Sequence, residues 1–131
     1  MTSCVIVVAL GRLRTSRREL PLDDLYDLPS PDGQEIVTLE PGELILELGV
    51  PRPESSTYVK AMDRARYSFA LVGVAAARFD GEVRLALAGV APIPWRIESA
   101  NDLDRATPLP GTAYKVELAR PLIRRAVEAV A

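Results

Sequence analysis

The stretch YVKAMDRARYSFALVGVAAARFDGEVRLALAGVAPIPWR, residues 58–96, decides the fold of this chain. Two apolar runs, 68–79 and 82–90, are separated only by Asp80 and Gly81. An Asp-Gly pair is typical of a two-residue type I′ turn, in which both central residues have positive φ. The stretch therefore predicts a β-hairpin. Pro92 and Pro94 follow its second strand, which cannot continue as an interior strand because proline donates no ladder hydrogen bond.

The two-residue turn also predicts the register of the hairpin. The expected pairs are Phe79 with Glu82, Ala77 with Arg84, Ala75 with Ala86, and Gly73 with Ala88. Side chains alternate between the two faces of a strand. The face that carries these pairs is mostly small, and the opposite face carries the bulkier residues Val72, Val74, Ala76, Val83, Leu85 and Leu87. We expect the bulky face to be core and the small face to admit a helix or a second subunit.

A polar segment precedes the hairpin. Residues 60–66 have the polarity of a loop, and Lys60, Asp63, Arg64, Arg66 and Tyr67 are the densest polar group in the chain. Arginines beside a carboxylate and a phenol could bind and polarise a carboxylate or enolate substrate, which makes the last four of these residues catalytic candidates. The same residues could instead form a surface ion-pair network that contributes little to stability. After the hairpin, we expect Trp95 to be an amphipathic anchor, and the alternative is that it lines a ligand pocket.

The flanking segments predict further strands and a C-terminal helix. An apolar run at 4–10 predicts a buried strand. The arginines at 12–18 fit a solvated strand and turn better than a phosphate or nucleic-acid patch. Residues 21–26 fit a short helical turn. In the strand at 44–50, the leucines form one face and Ile45 lies opposite. The last helix is expected to be capped by Thr112, and Pro121 either kinks it or begins a second helix.

Composition excludes several functional classes. The chain has 131 residues, enough for one domain with its own core. It has no histidine and a single cysteine, Cys4, so histidine-dependent nucleophile pairs, histidine-ligated zinc, an internal disulfide and a cysteine-based metal cluster are all excluded. A net charge of −2 suggests neither a nucleic-acid partner nor a membrane surface. We expect cytoplasmic residence.

Several motifs, in order, resemble one known family. They are TLEPGELILELGVPRP, RARYSFALVGVAAA, DG, ALAGVAPIPWR and LPGTAYKVELARPLIRRAV. Together they resemble the C-terminal domain of the FAD-binding (medium) subunit of molybdenum hydroxylases, the family of carbon monoxide dehydrogenase, xanthine dehydrogenase and aldehyde oxidoreductase. The resemblance implies an α+β sandwich, a mainly antiparallel sheet packed with helices. Residues 1–20 then resemble the last strand of the family's FAD domain, and 35–131 the C-terminal domain.

The resemblance also bears on cofactors. In the family, glycine-rich loops of a larger N-terminal domain hold the FAD pyrophosphate, and this chain has no such loop. Lys60 matches a lysine that approaches FAD in relatives, and Ile45 matches an apolar residue near the same cofactor. These two are the cofactor-binding candidates. Because they cannot replace the phosphate loops, we expect this chain to bind no cofactor alone.

Three hypotheses for function remain open. The first is a free-standing counterpart of the family domain, an oxidoreductase accessory or assembly component that is not catalytic alone, with molybdopterin and iron–sulfur subunits as partners. The second is a small enzyme of a small-molecule biosynthetic pathway, with its site in the loop 60–67 and the C-terminal helix. The third is a flavin subunit whose N-terminal part lies on another chain. The family usually has covering helices where this chain has only 97–110, so we also expect a homodimer or higher homo-oligomer that uses the small hairpin face.

Overall fold

The structure is a computed structural model that describes residues 11–29, 36–64 and 68–131. These residues form two antiparallel sheets and one α-helix. The strands are β1 (Arg12–Thr15), β2 (Glu19–Pro21), β3 (Ile45–Gly49), β4 (Ser55–Met62), β5 (Ala70–Phe79), β6 (Glu82–Ala88) and β7 (Trp95–Ile97), and the helix is α1 (Tyr114–Val130). Two 3₁₀ helices span Leu22–Leu25 and Ala100–Arg105. The strand predicted at 4–10 lies outside the described residues.

The predicted hairpin is present as β5 and β6. All four expected pairs are confirmed, from Phe79 opposite Glu82 to Gly73 opposite Ala88. Asp80 and Gly81 have φ values of 50° and 80°, as a type I′ turn requires. Local chemistry is enough to set this register, because a two-residue loop leaves no freedom to slip by one position.

The sheet that contains the hairpin has four strands in the order β4-β5-β6-β7. The prediction of a loop over 60–66 was wrong for Lys60–Met62, because β4 continues through Met62 beside β5, and a bend follows at Asp63 and Arg64. An edge strand tolerates polar side chains on its half-exposed residues, so polarity alone misplaced its end. A second edge strand, β7, follows the prolines and pairs with β6 through Leu87 opposite Trp95.

Helix α1 covers the bulky face of the hairpin. Val72, Val74, Leu85 and Leu87 are buried there against Ala119, Leu122, Ile123, Ala126 and Val130, as expected for a core face. The helix runs unbroken through Pro121, so the two-helix alternative was wrong. Thr112 is not its cap, because its hydroxyl donates to the carbonyl of Leu109 and the helix begins at Tyr114. No helix in the described part of the chain is both long and apolar enough to span a bilayer.

The small face of the hairpin is covered by the N-terminal elements of the same chain. Ala75, Ala77 and Ala86 are almost completely buried, and they belong to one cluster with Leu13, Leu20, Leu22 and Leu25. The prediction that this face contacts a second subunit was therefore wrong. Alanine side chains leave room for β1, β2 and the first 3₁₀ helix to approach the sheet closely, and the four leucines fill that space.

The second sheet is small, and one of its edges has no partner strand among the described residues. Its order is β2-β1-β3, and β3 pairs only with β1 among the described residues. All five residues of β3 are exposed, including Ile45 at 50% and Leu46 at 55%. The two sheets and the helix form the predicted α+β sandwich.

The short segment before the last helix also contributes to the core. Ser99 and Asp102 form a capping box at the second 3₁₀ helix, which fixes the backbone there. This places Leu103 against the α1 side of the sheet with 2% of its surface exposed. The segment 97–110 therefore covers part of the sheet.

Candidate functional site

The structure places the predicted catalytic residues at one end of β4. Asp63 and Arg64 lie exposed in the bend that follows Met62. Arg66 and Tyr67 lie outside the described residues, so their assignment stays a prediction. Lys60 is half-buried on β4, opposite Gly73 of β5, and its amine has no ion pair with another described residue. The predicted group extends from β4 along the chain, and the structure describes three of its five residues.

The two cofactor-binding candidates lie on different sheets. Lys60 belongs to the four-stranded sheet, whereas Ile45 belongs to β3 of the three-stranded sheet. Packing was the alternative explanation for Ile45, and the structure contradicts it, because half of this residue is exposed. Half of the Ile45 surface is therefore accessible to another surface. Its role near a cofactor stays a prediction.

The described residues do not fit FAD by themselves. Glycines with positive φ occur at 42, 81, 89 and 111, each alone in a separate turn, so they form no glycine-rich cradle for a pyrophosphate. At the start of α1, the backbone amides of Lys115 and Val116 already donate to the carbonyls of Thr112 and Ala113. Only the two candidates Ile45 and Lys60 remain, and one apolar and one cationic side chain are too few contacts to hold a dinucleotide.

A buried carboxylate near the N-terminus has a structural role. Glu43 accepts hydrogen bonds from the Thr15 hydroxyl at 2.6 Å, the Glu40 amide at 2.9 Å and the Arg18 guanidinium at 3.1 Å. These bonds, that from Thr15 first, lower the pKa of Glu43 to about 2. Glu43 ties the turn before β3 to the β1–β2 turn, and every group that perturbs its pKa also holds the backbone. A perturbed carboxylate of this kind is not by itself a sign of catalysis.

The arginines at 14, 17 and 18 are part of the same region. Arg14 pairs with Glu47, Arg17 with Glu40, and Arg18 with Glu43. The glutamates come from the segment that leads into and forms β3. These pairs support the interpretation of residues 12–18 as a solvated strand and turn rather than a phosphate patch. Among the described residues, no group of histidine, cysteine, aspartate or glutamate side chains could hold a metal ion.

A cleft at the opposite edge of the four-stranded sheet was not predicted as a site. It has a volume of about 420 Å³ and is lined by Asp23, Tyr26, Ile93, Trp95, Arg96 and Asp102, among others. Arg96 lies on the same sheet face as Ala86, its partner on β6, and reaches across to pair with Asp23 of the first 3₁₀ helix. Trp95 lies on the opposite face and packs beside the α1 core. The tryptophan was the one sequence signal: it was assigned to anchoring, with the lining of a ligand pocket as the alternative.

The charges of this cleft are mostly paired. Asp102 accepts hydrogen bonds from the amides of Glu98 and Ser99 at 2.7 and 3.1 Å, and these amides, followed by Arg105, lower the pKa of Asp102. Arg105 contacts Asp102 at 2.6 Å. With Arg96 paired to Asp23, the carboxylate of Glu98 is the one cleft charge that has no ion pair within the described part of the chain.

Comparison with known proteins identifies a relative by sequence. The chain is 45% identical over 87 residues to the aldehyde oxidoreductase FAD-binding subunit PaoB of Escherichia coli (strain K12). This match covers 64% of the present chain and 27% of PaoB, so the chain spans about a quarter of its relative. No protein-family model matches the sequence. The match confirms the resemblance to FAD-binding subunits that the motifs predicted.

Solved structures show the same fold. A reconstituted CO dehydrogenase from Oligotropha carboxidovorans superposes with a TM-score of 0.75 at 20% identity, over 99% of this chain and 56% of that one. The cyanide-inactivated form of a Cu,Mo-CO dehydrogenase gives a TM-score of 0.73 at 21% identity, over 98% of this chain and 55% of that one. At 20–21% identity these matches show a shared fold and nothing more, and this fold is the predicted α+β sandwich.

Proposed function

We propose that this chain, which resembles the FAD-binding subunits of molybdenum hydroxylases, is an accessory or assembly component of an oxidoreductase and is not catalytic alone. The observation that carries this proposal is the 45% identity to an FAD-binding subunit over 87 residues. In this proposal residues 1–20 correspond to the last strand of the family's FAD domain and 35–131 to its C-terminal domain. The partners are those the family implies, a molybdopterin subunit and an iron–sulfur subunit.

The described chemistry supports a role that depends on other protein parts. Glu43 and the arginines beside it are committed to holding turns, and isolated glycines offer no pyrophosphate cradle. FAD would supply redox chemistry in the assembled enzyme. This chain would contribute the side chains of Ile45 and Lys60, one an exposed apolar surface and the other a positive charge. The purified chain should therefore be colourless, and a flavin absorbance band that survives desalting at stoichiometric level would contradict this.

A segment exchange tests the assembly role directly. The matched 87-residue stretch of PaoB is replaced by the corresponding stretch of this chain, and the hybrid is produced together with the other subunits of that aldehyde oxidoreductase. We expect the hybrid subunit to retain FAD and to co-purify with its partners. A hybrid that folds, as judged by circular dichroism, but neither holds FAD nor assembles would refute the proposal.

The hybrid also tests the cofactor-binding candidates. Lys60→Gln removes one positive charge without shortening the side chain greatly, and should lower the FAD content of the hybrid. Arg52→Gln is the matched control, because Arg52 is exposed and has no ion pair with another described residue. An equal FAD content in both variants would show that Lys60 does not contact the cofactor.

A further inference from the structure

Strand β3 presents an apolar edge that no described strand covers. In the order β2-β1-β3, one side of β3 pairs with β1, and the other side is open among the residues that the structure describes. The large apolar side chains on and beside this strand have exposed fractions from 39% to 64%; they are Leu44, Ile45, Leu46, Leu48 and Val50. Contiguous exposed apolar surface of this kind marks interaction sites in soluble proteins.

The other described sheet edges carry features that discourage strand pairing. Edge strands are commonly protected by lysine, by proline or by short length. Strand β4 contains Lys60, β2 ends at Pro21, and β7 has only three residues. Strand β3 contains a single charged residue, Glu47, and Arg14 of β1 pairs with it. Of the four described edges, β3 is therefore the one most open to a further strand.

The hydrogen bonds of β1 show which backbone groups of β3 point to the open side. At the two ends of β1, the odd-numbered residues Gly11 and Thr15 hydrogen-bond towards the β2 side. Bonded and non-bonded positions alternate along antiparallel pairs, so the even-numbered residues of β1 bond to β3. Glu47 and Gly49 lie opposite these even-numbered residues, and the register shift in this pair lies beyond Glu47. Leu48, between them, therefore directs its N–H and C=O away from β1 to the open edge.

A second copy of β3 complements this edge. Antiparallel pairing about a two-fold axis at Leu48 brings the outward N–H and C=O of both leucines together as a hydrogen-bonded pair. It also places Leu46 opposite Val50, and Glu47 opposite Gly49. Apolar side chains then meet each other, and each carboxylate faces a residue without a side chain. An axis at Glu47 would instead put two carboxylates directly opposite each other, which is destabilising.

We propose that the open edge of β3 binds a second copy of this chain by antiparallel strand pairing centred on Leu48. A two-fold interface requires a self-complementary surface, and this edge has one. The interface is distinct from the small hairpin face, which leucines of the same chain cover. Because one short strand from each copy forms the contact, its area should lie below about 1,200 Å² in total, and the dimer should dissociate on dilution. The inference is independent of the proposed function.

Cysteine cross-linking tests the pairing in the full chain. All variants carry Cys4→Ser, which removes the single native cysteine. In the proposed register the two Leu48 Cα atoms lie about 5.5 Å apart, within the range of a disulfide, and the two Leu44 Cα atoms about 26 Å apart. With oxidised glutathione, we expect Leu48→Cys to form at least about tenfold more covalent dimer than the control Leu44→Cys. Leu44 is the more exposed of the two, so exposure alone would favour the opposite result.

Light scattering of the Cys4→Ser protein keeps the test decisive if a cysteine variant fails to fold, as judged by circular dichroism. We expect twice the mass of one chain at millimolar concentration, falling towards the mass of one chain on dilution. A monomer at millimolar concentration would overturn the proposal. A dimer in which Leu44→Cys cross-links as readily as Leu48→Cys would also overturn it, because the copies would then meet in another register or through another surface.

Discussion

Gly73 and Tyr58 should show a strong energetic coupling, because the tyrosine ring occupies the space above the glycine. A Cβ atom added at Gly73 would lie 1.9 Å from the Tyr58 hydroxyl oxygen and 2.6 Å from Cζ. No packed carbon atom tolerates such distances. The ring cannot simply turn away, since Tyr58 packs against the alanine and leucine cluster between the two sheets. Gly73→Ala must therefore displace packed atoms.

The expected free energies follow from two opposing effects. Overpacking of a core typically costs about 1–3 kcal/mol of unfolding free energy. Against this, alanine is favoured over glycine in the middle of a strand by about 0.5–1 kcal/mol, because the unfolded chain loses less entropy. Gly73→Ala should thus destabilise the wild-type protein by up to about 2.5 kcal/mol. With the ring removed by Tyr58→Val, only the second effect remains, and the same change should stabilise by about 0.5–1 kcal/mol.

Urea unfolding of the wild type, both single variants and the double variant gives this coupling energy. We expect a coupling of at least about 1 kcal/mol, within the range seen for residues in contact. Gly49→Ala is the matched control, since a Cβ there would lie 3.8 Å from the Arg12 carbonyl, an ordinary contact. The reasoning is refuted if Gly73→Ala has the same effect with and without the Tyr58 ring.

Three further predictions concern charge, packing and association. Glu43→Gln should destabilise the protein at neutral pH. The lowered pKa of Glu43 contributes stability that is fully present above the unfolded pKa of 4.5 and is lost as pH falls towards the folded pKa of about 2, so the difference in unfolding free energy from wild type should shrink over that range. Urea unfolding at several pH values measures this, and a difference that persists unchanged at pH ~2, or that appears equally in Glu82→Gln, contradicts it. Leu103→Ala should cost about 2–5 kcal/mol by cavity formation, and a cost under about 1 kcal/mol in thermal or urea unfolding would show that the second 3₁₀ helix is not part of the core. The homo-oligomer stays a prediction, now through exposed β3: light scattering should give twice the mass of one chain or more, and Leu46→Lys should lower it to one chain, whereas a monomeric wild type would end this interpretation.

Local chemistry explains which parts of the fold could be predicted. The hairpin register depends on the two residues Asp80 and Gly81, and the alternation that follows is visible along the chain. The end of β4 depends instead on its pairing with β5. The polar side chain of Lys60 suggested a loop, and no feature of the sequence indicated this pairing. Strand β7 is defined by Leu87 opposite Trp95, and nothing near Trp95 in the sequence indicates that pairing.

The sites were harder to predict than the fold, because their parts are far apart in the chain. Arg96 and Asp23 are separated by 73 positions, and Thr15 and Glu43 by 28. Each pair meets only because the N-terminal elements fold back over the four-stranded sheet. Contiguous residues such as Asp63 and Arg64 are easily noticed in a sequence, whereas the cleft at the β7 edge is built from separate segments and only Trp95 indicates it in the sequence.

The alanine face of the hairpin shows what periodicity can and cannot predict. Ala75, Ala77 and Ala86 indicate that another layer comes close to the sheet, and this is what the structure contains. Periodicity does not say which layer, because leucines from the same chain and from a second subunit would impose the same small residues. In the structure, Leu13, Leu20, Leu22 and Leu25 of the same chain form the layer that packs against the alanines. Surfaces for partners must therefore be sought where apolar residues stay exposed, as on β3.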